Sequence, residues 1–295
     1  MTVAYLLFRV SDYLEDNAVT DVGEKVRLLN LWDAVLAGQE EDAVLLQEAA
    51  GLEDDDPEGE VLARVGEITE ALDHLDEPQQ RVMRRRVRQT TQGMARRLIL
   101  GPVVHTEEEL DSYMHSVAGL VGYLITDVFS IIDRHFAARR SRLLALAHEY
   151  GLGLQTVNVI RGLRKDASRG RFYLPLGYLR DLGLSPEQLF APQHLERSLT
   201  AVRRLAEKAE DHLRSGLGYV LQIPRSLHRV RLATMWPLLF AARTLAVSRD
   251  NRDVLFSEAK ISREDVRSIV RRSSAMGWSN RWIARYHERL LRGGV

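Results

Sequence analysis

The 295-residue chain contains no cysteine. That absence removes disulfides, thiolate zinc sites and cysteine nucleophiles together, and it permits a cytoplasmic setting without demonstrating one. A charge imbalance is missing too: Lys plus Arg and Asp plus Glu are 41 each. No whole-protein field draws the chain to nucleic acid or to an anionic membrane, so any electrostatic work has to be local. The most apolar run, Leu232–Ala242, is too short to span a bilayer, which takes about 20 residues, and it carries Pro237; it reads as a buried helix. The first residues, MTVAYLLFRVSD, have neither a basic region nor a small-residue cleavage site, so no signal peptide is expected. Alternating β-type runs are nearly absent, and no glycine-rich dinucleotide fingerprint appears. His135, His148 and His194 lack a partner four residues on, which argues against zinc.

What remains is helical. Apolar residues recur at spacings of three and four, as in Leu199, Val202, Leu205, Ala209 and Leu213. The pattern predicts an all-α protein with helices over 3–15, 20–37, 41–50, 58–74, 77–99, 107–123, 124–135, 137–165, 185–190, 193–215, 217–223, 226–247, 262–275 and 279–291. Turn signals fall at Glu53–Glu60, at Gly101–Pro102 and from Ser168 to Pro186; none makes a flexible linker, so 1–295 is expected to be one domain. The acidic stretch 53–60 and the basic run Arg81–Arg88 read as solvated surface.

Two stretches carry chemistry. In SDYLEDN, Asp12, Glu15 and Asp16 are spaced three and four apart, which crowds carboxylates on one helical face. Like charges at this spacing repel, and a hard divalent cation bound through oxygen would relieve them. An exposed acidic helix start would account for the same spacing. Arg9 and Tyr5 lie one and two turns before Asp12 on roughly the same face, and an arginine beside carboxylates suits a site that takes metal and phosphate together. The second stretch is LQTVNVIRGLRKDASRGRFYLP, Leu154–Pro175. Gln155, Asn158 and Asp166 project to one side, while Arg161, Arg164, Lys165, Arg169 and Arg171 gather positive charge at the helix end. This is either a phosphate-holding flap or a helix C-terminus favouring cations.

With these residues the chain resembles the squalene and phytoene synthases, head-to-head prenyltransferases, and within them the squalene synthase branch. The blocks that carry the resemblance run in order: YLLFRVSDYLEDNAVTDVGEKVRLL, QGMARRL, YMHSVAGLVG, LQTVNVIR with RGRFYLP, and NRDVLFSEAKISR. The resemblance implies an all-α, single-domain isoprenoid synthase bundle around a central apolar channel. It implies two prenyl diphosphates, normally farnesyl diphosphate, bound through Mg²⁺ at two Asp-rich helices. One substrate ionises to an allylic cation, the other attacks to give a cyclopropylcarbinyl diphosphate, and squalene synthases then rearrange and reduce that intermediate with NADPH. Carried over, Tyr5, Arg9 and Tyr113 match catalytic positions. Arg9, Gln155, Asn158, Arg161, Lys165 and Arg171 match substrate-binding positions, and Asp12, Glu15, Asp16, Asn158 and Asp166 match metal ligands. Lys260 and Arg263 resemble a basic pair at the cofactor end or are ordinary surface. Ala118, Gly119 and Gly122 allow either a close helix crossing or room for a prenyl tail. Phe8, Leu120 and Leu124 would line that tail pocket or serve as core, and Trp236 with Pro237 would be core packing or, as in the matching family segment, line the channel. A greasy substrate is compatible with peripheral membrane contact.

The chain departs from the family where the second motif usually reads Arg-Asp-x-x-Glu-Asp: Gly162 replaces the first aspartate and Lys165 the glutamate. The family also has a further N-terminal segment with an Arg-Ser-Phe motif, expected to be missing or shortened here. Three outcomes are compatible with these departures: a synthase in which a cation replaces a metal's charge, an enzyme that stops at an earlier product, or a weak or inactive prenyl-lipid binder.

Overall fold

A computed structural model describes residues 1–17, 20–52 and 59–295; most of the acidic stretch read as solvated surface, 53–58, lies outside them. The elements in chain order are α1 (Thr2–Asp16), α2 (Val22–Leu36), α3 (Asp42–Glu48), α4 (Gly59–Ala63), α5 (Val65–Asp73), α6 (Glu77–Leu100), α7 (Glu107–Met114), a π turn His115–Gly119, α8 (Leu120–Ile132) and α9 (Arg134–Ser168). After these come α10 (Leu176–Asp181), two 3₁₀ turns, α11 (Leu195–Gln222), α12 (His228–Ser248), α13 (Asp253–Phe256), α14 (Arg263–Met276) and α15 (Asn280–Leu291). Among the described residues the sole β-type pairing is an isolated bridge between Val103 and Phe172. The all-α expectation is met. Two helical runs, Glu107–Ile132 and His228–Ser248, are long and apolar enough to cross a membrane; half of the second's most apolar window is buried inside the protein, as a core helix would be.

The chain divides into two compact units: residues 1–101 with 120–140, and residues 102–119 with 141–295. In the first, α1 is fixed by a buried relay. Trp32 Nε1 donates to Ser11 Oγ at 3.1 Å, Ser11 and Thr91 hydroxyls meet at 2.8 Å, and Thr91 donates to the Val87 carbonyl at 2.9 Å. Every polar atom in this relay has a partner, so it ties α2, α1 and α6 together without a desolvation penalty. Leu7, Leu14, Leu28, Leu29 and Trp32 fill the same core at no more than 1% exposure; each is worth about 1.5–3 kcal/mol of burial. Phe8, Leu120 and Leu124 are also buried. Asp127, 2% exposed, accepts from three arginines: Arg86 at 2.7 and 3.0 Å, Arg85 at 3.1 Å and Arg140 at 2.8 Å.

In the second unit, Gly151 lets α9 lie directly on the π turn, because a Cβ there would meet the Ala118 and Gly119 backbone at 2.7 Å. Thr156 Oγ1 contacts Met114 Sδ at 3.1 Å while donating to the Leu152 carbonyl. On α7, Glu107 and Asp111 hold Lys208 of α11 at 3.2 and 2.9 Å. Burial opposes ionisation of Glu107, but hydrogen bonds from Tyr178 and Lys208 win and hold its carboxyl below the usual range. The same burial pushes the Tyr178 phenol up. Trp236 Nε1 donates to Ser273 Oγ at 2.9 Å, a packing role.

Candidate active site

With Ser11, Leu7, Val10 and Leu14 turned into the core, the opposite side of α1 faces outward. It carries Tyr5, 62% exposed, then Arg9, Asp12 and Asp16 at successive turns. Arg9 Nη1 donates to Asp12 Oδ2 at 3.1 Å, which orients the guanidinium along the helix. Glu15, expected as a third acid on this face, is only 7% exposed. Each residue turns about 100° around the helix, so Glu15 sits on the packed side and Asp16 on the open one. The outward acidic face is therefore Asp12 with Asp16.

In the second unit, the end of α9 carries the other motif. Asn158, Arg161 and Lys165 are exposed, and Gln155 and Asp166 half-buried. Asn158 Nδ2 lies 3.4 Å from Gln155 Oε1. A Cβ built on Gly162 would stand 2.9 Å from Asp166 Oδ2; the one remaining carboxylate leans over the glycine where the family's aspartate is missing. The helix then stops. The Asp166 carbonyl accepts from Arg169 and Arg171 amides at 3.0 and 2.9 Å, and Gly170 takes φ +75°, a left-handed conformation that suits glycine. Phe172 N donates to Pro102 O at 2.8 Å and Val104 N to Phe172 O at 2.9 Å, which seats the RGRFYLP segment beside the start of α7. Tyr113 of α7 consequently stacks on Tyr173, with centroids 4.9 Å apart and planes 5° from parallel.

Sequence reasoning missed Tyr173 as a partner of Tyr113, and it missed Glu258. Glu258 lies 3.8 Å from Arg161 Nε and 2.6 Å from Lys260 Nζ, so the block 251–263 reaches the second motif. The presence of both segments among the family-like blocks was the available signal. Arg164 covers the Phe190 ring at 5.0 Å. Ala118 and Gly119 serve the close crossing with α9: their backbone would lie 2.7 Å from a Cβ on Gly151, and a Cβ on Gly119 would stand 3.5 Å from His148 Nδ1 of α9.

Among the described residues no three His, Asp or Glu side chains converge to hold a metal by themselves. Magnesium does not require that, since it keeps several waters and is held by one or two carboxylates plus phosphate oxygens. Asp12 and Asp16 suit such binding: both reach solvent one turn apart, and an arginine for phosphate stands beside them. The second motif offers one carboxylate, Asp166, among amides and cations. It suits an anion better than a metal.

Solved structures share this architecture. TcSQS, solved with a bound ligand, superimposes with a TM-score of 0.80 at 23% identity over 98% of this chain and 81% of that one. A dehydrosqualene synthase gives 0.65 at 19% identity, over 92% of this chain and 84% of that one. These show the fold, an all-helical one. The squalene/phytoene synthase pattern matches residues 1–265, and the chain belongs to that family of prenyltransferases. Human squalene synthase is 26% identical over 300 residues, 98% of this chain and 66% of that protein. The 15-cis-phytoene synthase of Enterobacter agglomerans is 35% identical over 103 residues, 35% of this chain and 32% of that protein. The chain thus spans less than two thirds of the length of these curated relatives.

Proposed function

We propose that the chain is a magnesium-dependent head-to-head synthase joining two farnesyl diphosphates, or prenyl diphosphates of similar length, through a cyclopropylcarbinyl diphosphate. The observation that carries this reading is the outward line of Tyr5, Arg9, Asp12 and Asp16 on α1 in a member of this family.

Asp12 and Asp16 would hold magnesium, which when bound offsets the charge of a departing diphosphate. Arg9 is pre-oriented by its bond to Asp12, so binding a phosphate oxygen does not have to order the guanidinium. Arg161, Lys165 and Arg171 supply cationic donors where the family has more acid, a fixed charge in place of part of a metal's. The C1–O bond of one substrate breaks with its electron pair leaving on diphosphate. The second substrate's double bond attacks the allylic cation, and loss of one proton closes the cyclopropane. Tyr113, held by its stack on Tyr173, is the residue we assign to that proton or to the leaving diphosphate. Conversion to squalene then needs a hydride, for which NADPH is the reductant consistent with this reading. We place the enzyme in the cytoplasm at a membrane face, where its hydrocarbon product partitions.

Gly162 and Lys165 favour one alternative, a relative that binds prenyl diphosphate and turns it over weakly or stops early. Diphosphate release from farnesyl diphosphate, with and without Mg²⁺, tests the main reading. Mass analysis of products with and without NADPH separates squalene from presqualene diphosphate, hydroxysqualene or a phytoene-like product. Substrate binding without release would establish the alternative.

A further inference from the structure

The chain as a whole is neutral, yet two of its stretches contain no acid. Residues 212–249 hold six arginines and 266–287 hold five, with no Asp or Glu in either. Arg214, Arg243 and Arg249 pair with Glu210, Asp211 or Asp265, acids that lie outside both stretches. Among the described residues no ion pair relieves the others, and the fold brings several of them to one end of the second unit.

Arg231, fully buried, does this. Its Nε donates to the Gly277 carbonyl at 2.7 Å, Nη1 to the Ile223 carbonyl at 2.7 Å, and Nη2 to Asn280 Oδ1. Asn280 donates in turn to the Leu221 carbonyl at 3.3 Å. The end of α11, the start of α12, the end of α14 and the start of α15 are thereby clasped around a cation held by carbonyl and amide dipoles. Gly277 fits because a Cβ there would stand 2.5 Å from Met235 Cε and 2.4 Å from the Ser273 carbonyl oxygen. Side chains beside the clasp reach the surface: Trp278 is 53% and Met276 39% exposed, and Arg225, Arg229 and Arg281 are all exposed.

From this geometry we propose that the clasped end is a docking surface for an anionic membrane, with Trp278 and Met276 entering the interface and Arg225, Arg229 and Arg281 meeting lipid phosphate and carboxylate groups. Scattered exposed apolar residues are ordinary. Here an indole with an amphipathic ring, the type found at headgroup depth, lies on the segment that the Arg231 clasp joins to those carrying Arg225, Arg229 and Arg281, within runs of sequence that hold no acid. Charge complementarity selects an anionic bilayer over an acid-free or neutral one. The inference extends the proposed membrane-face setting and does not depend on whether the chain turns over prenyl diphosphate.

The test is co-sedimentation of the full chain with phosphatidylcholine vesicles, with and without phosphatidylserine, in the absence of substrate. Each arginine near an anionic surface is worth about a fivefold change in partition, so the R225Q/R229Q/R281Q variant should bind anionic vesicles on the order of 100-fold more weakly. Trp278→Ala should weaken binding while abolishing the blue shift of tryptophan emission on vesicle addition. Unchanged thermal melting of these surface variants keeps the comparison fair. Wild-type protein that ignores anionic vesicles, a triple variant that binds as well as wild type, or a patch that captures duplex oligonucleotide in preference to vesicles would each overturn the assignment.

Discussion

Replacing Gly162 by aspartate restores the acid that the family pattern expects at this turn, and the structure sets the size of the response. A glycine in a helix interior costs about 1 kcal/mol relative to alanine, and aspartate recovers roughly 0.3 kcal/mol of that. Against the gain stands Asp166, whose Oδ2 would be 2.9 Å from the new Cβ and must rotate away. Two carboxylates four residues apart repel by about 0.2–0.5 kcal/mol. An acid in the last turns of a helix costs a further ~0.3–1 kcal/mol against the dipole. The net is a loss of roughly 0.2–1.2 kcal/mol in metal-free buffer, or at most about 5 °C in melting temperature. Magnesium should reverse it, because a ligand at 100 times its dissociation constant stabilises by about 2.7 kcal/mol. Gly162→Ala is the control: it gains up to about 1 kcal/mol of helix propensity and creates no acid pair. Calorimetric melts of wild type, Gly162→Asp and Gly162→Ala with and without Mg²⁺ decide it. If Gly162→Asp responds to Mg²⁺ no more than Gly162→Ala does, the missing acid is not what weakens the second motif as a metal site.

Two further outcomes follow from buried charge. Asp127, 2% exposed, pairs with Arg85, Arg86 and Arg140; Asp127→Asn should cost about 3–5 kcal/mol, read as a lower denaturant midpoint, and a loss below ~1 kcal/mol would contradict the assignment. His287, 1% exposed, has its pKa lowered by burial to about 4. The unfolded chain therefore takes up a proton below pH ~6.5 that the folded chain refuses, so stability falls as pH drops from about 6.5 towards 4, by roughly 2 kcal/mol at pH ~5. His287→Leu should remove that part of the slope; parallel wild-type and variant pH profiles would show that burial does not keep His287 neutral.

Much of the helical framework was legible because its signals are local. The run predicted at 77–99 is α6, Glu77–Leu100, opened by Pro78 in its first turn and closed at Gly101. Elsewhere distant packing overrode local signals. Separate helices were expected over 193–215 and 217–223, yet α11 continues to Gln222; Gly216 within it makes room for the Tyr150 ring, which a Cβ would meet at 2.5 Å. The predicted break near 123 is instead a π turn at 115–119, shaped by the close approach of Gly151. The helix expected over 58–74 is interrupted at Arg64, and α10 and α13 are too short to announce themselves. At the candidate site, the Arg9–Asp12 pair followed from spacing alone. The burial of Glu15, the Tyr113–Tyr173 stack and the approach of Glu258 to Arg161 depend on tertiary packing and could not be read from spacing.

The measurement that bears most directly on the account is Mg²⁺-dependent diphosphate release from farnesyl diphosphate by the Asp12→Asn/Asp16→Asn double variant. Both side chains reach solvent, so the variant should melt close to wild type, while release falls about 1,000-fold, the equivalent of roughly 4 kcal/mol of lost charge stabilisation. Release within tenfold of wild type from the folded double variant would contradict the role given to the outward face of α1.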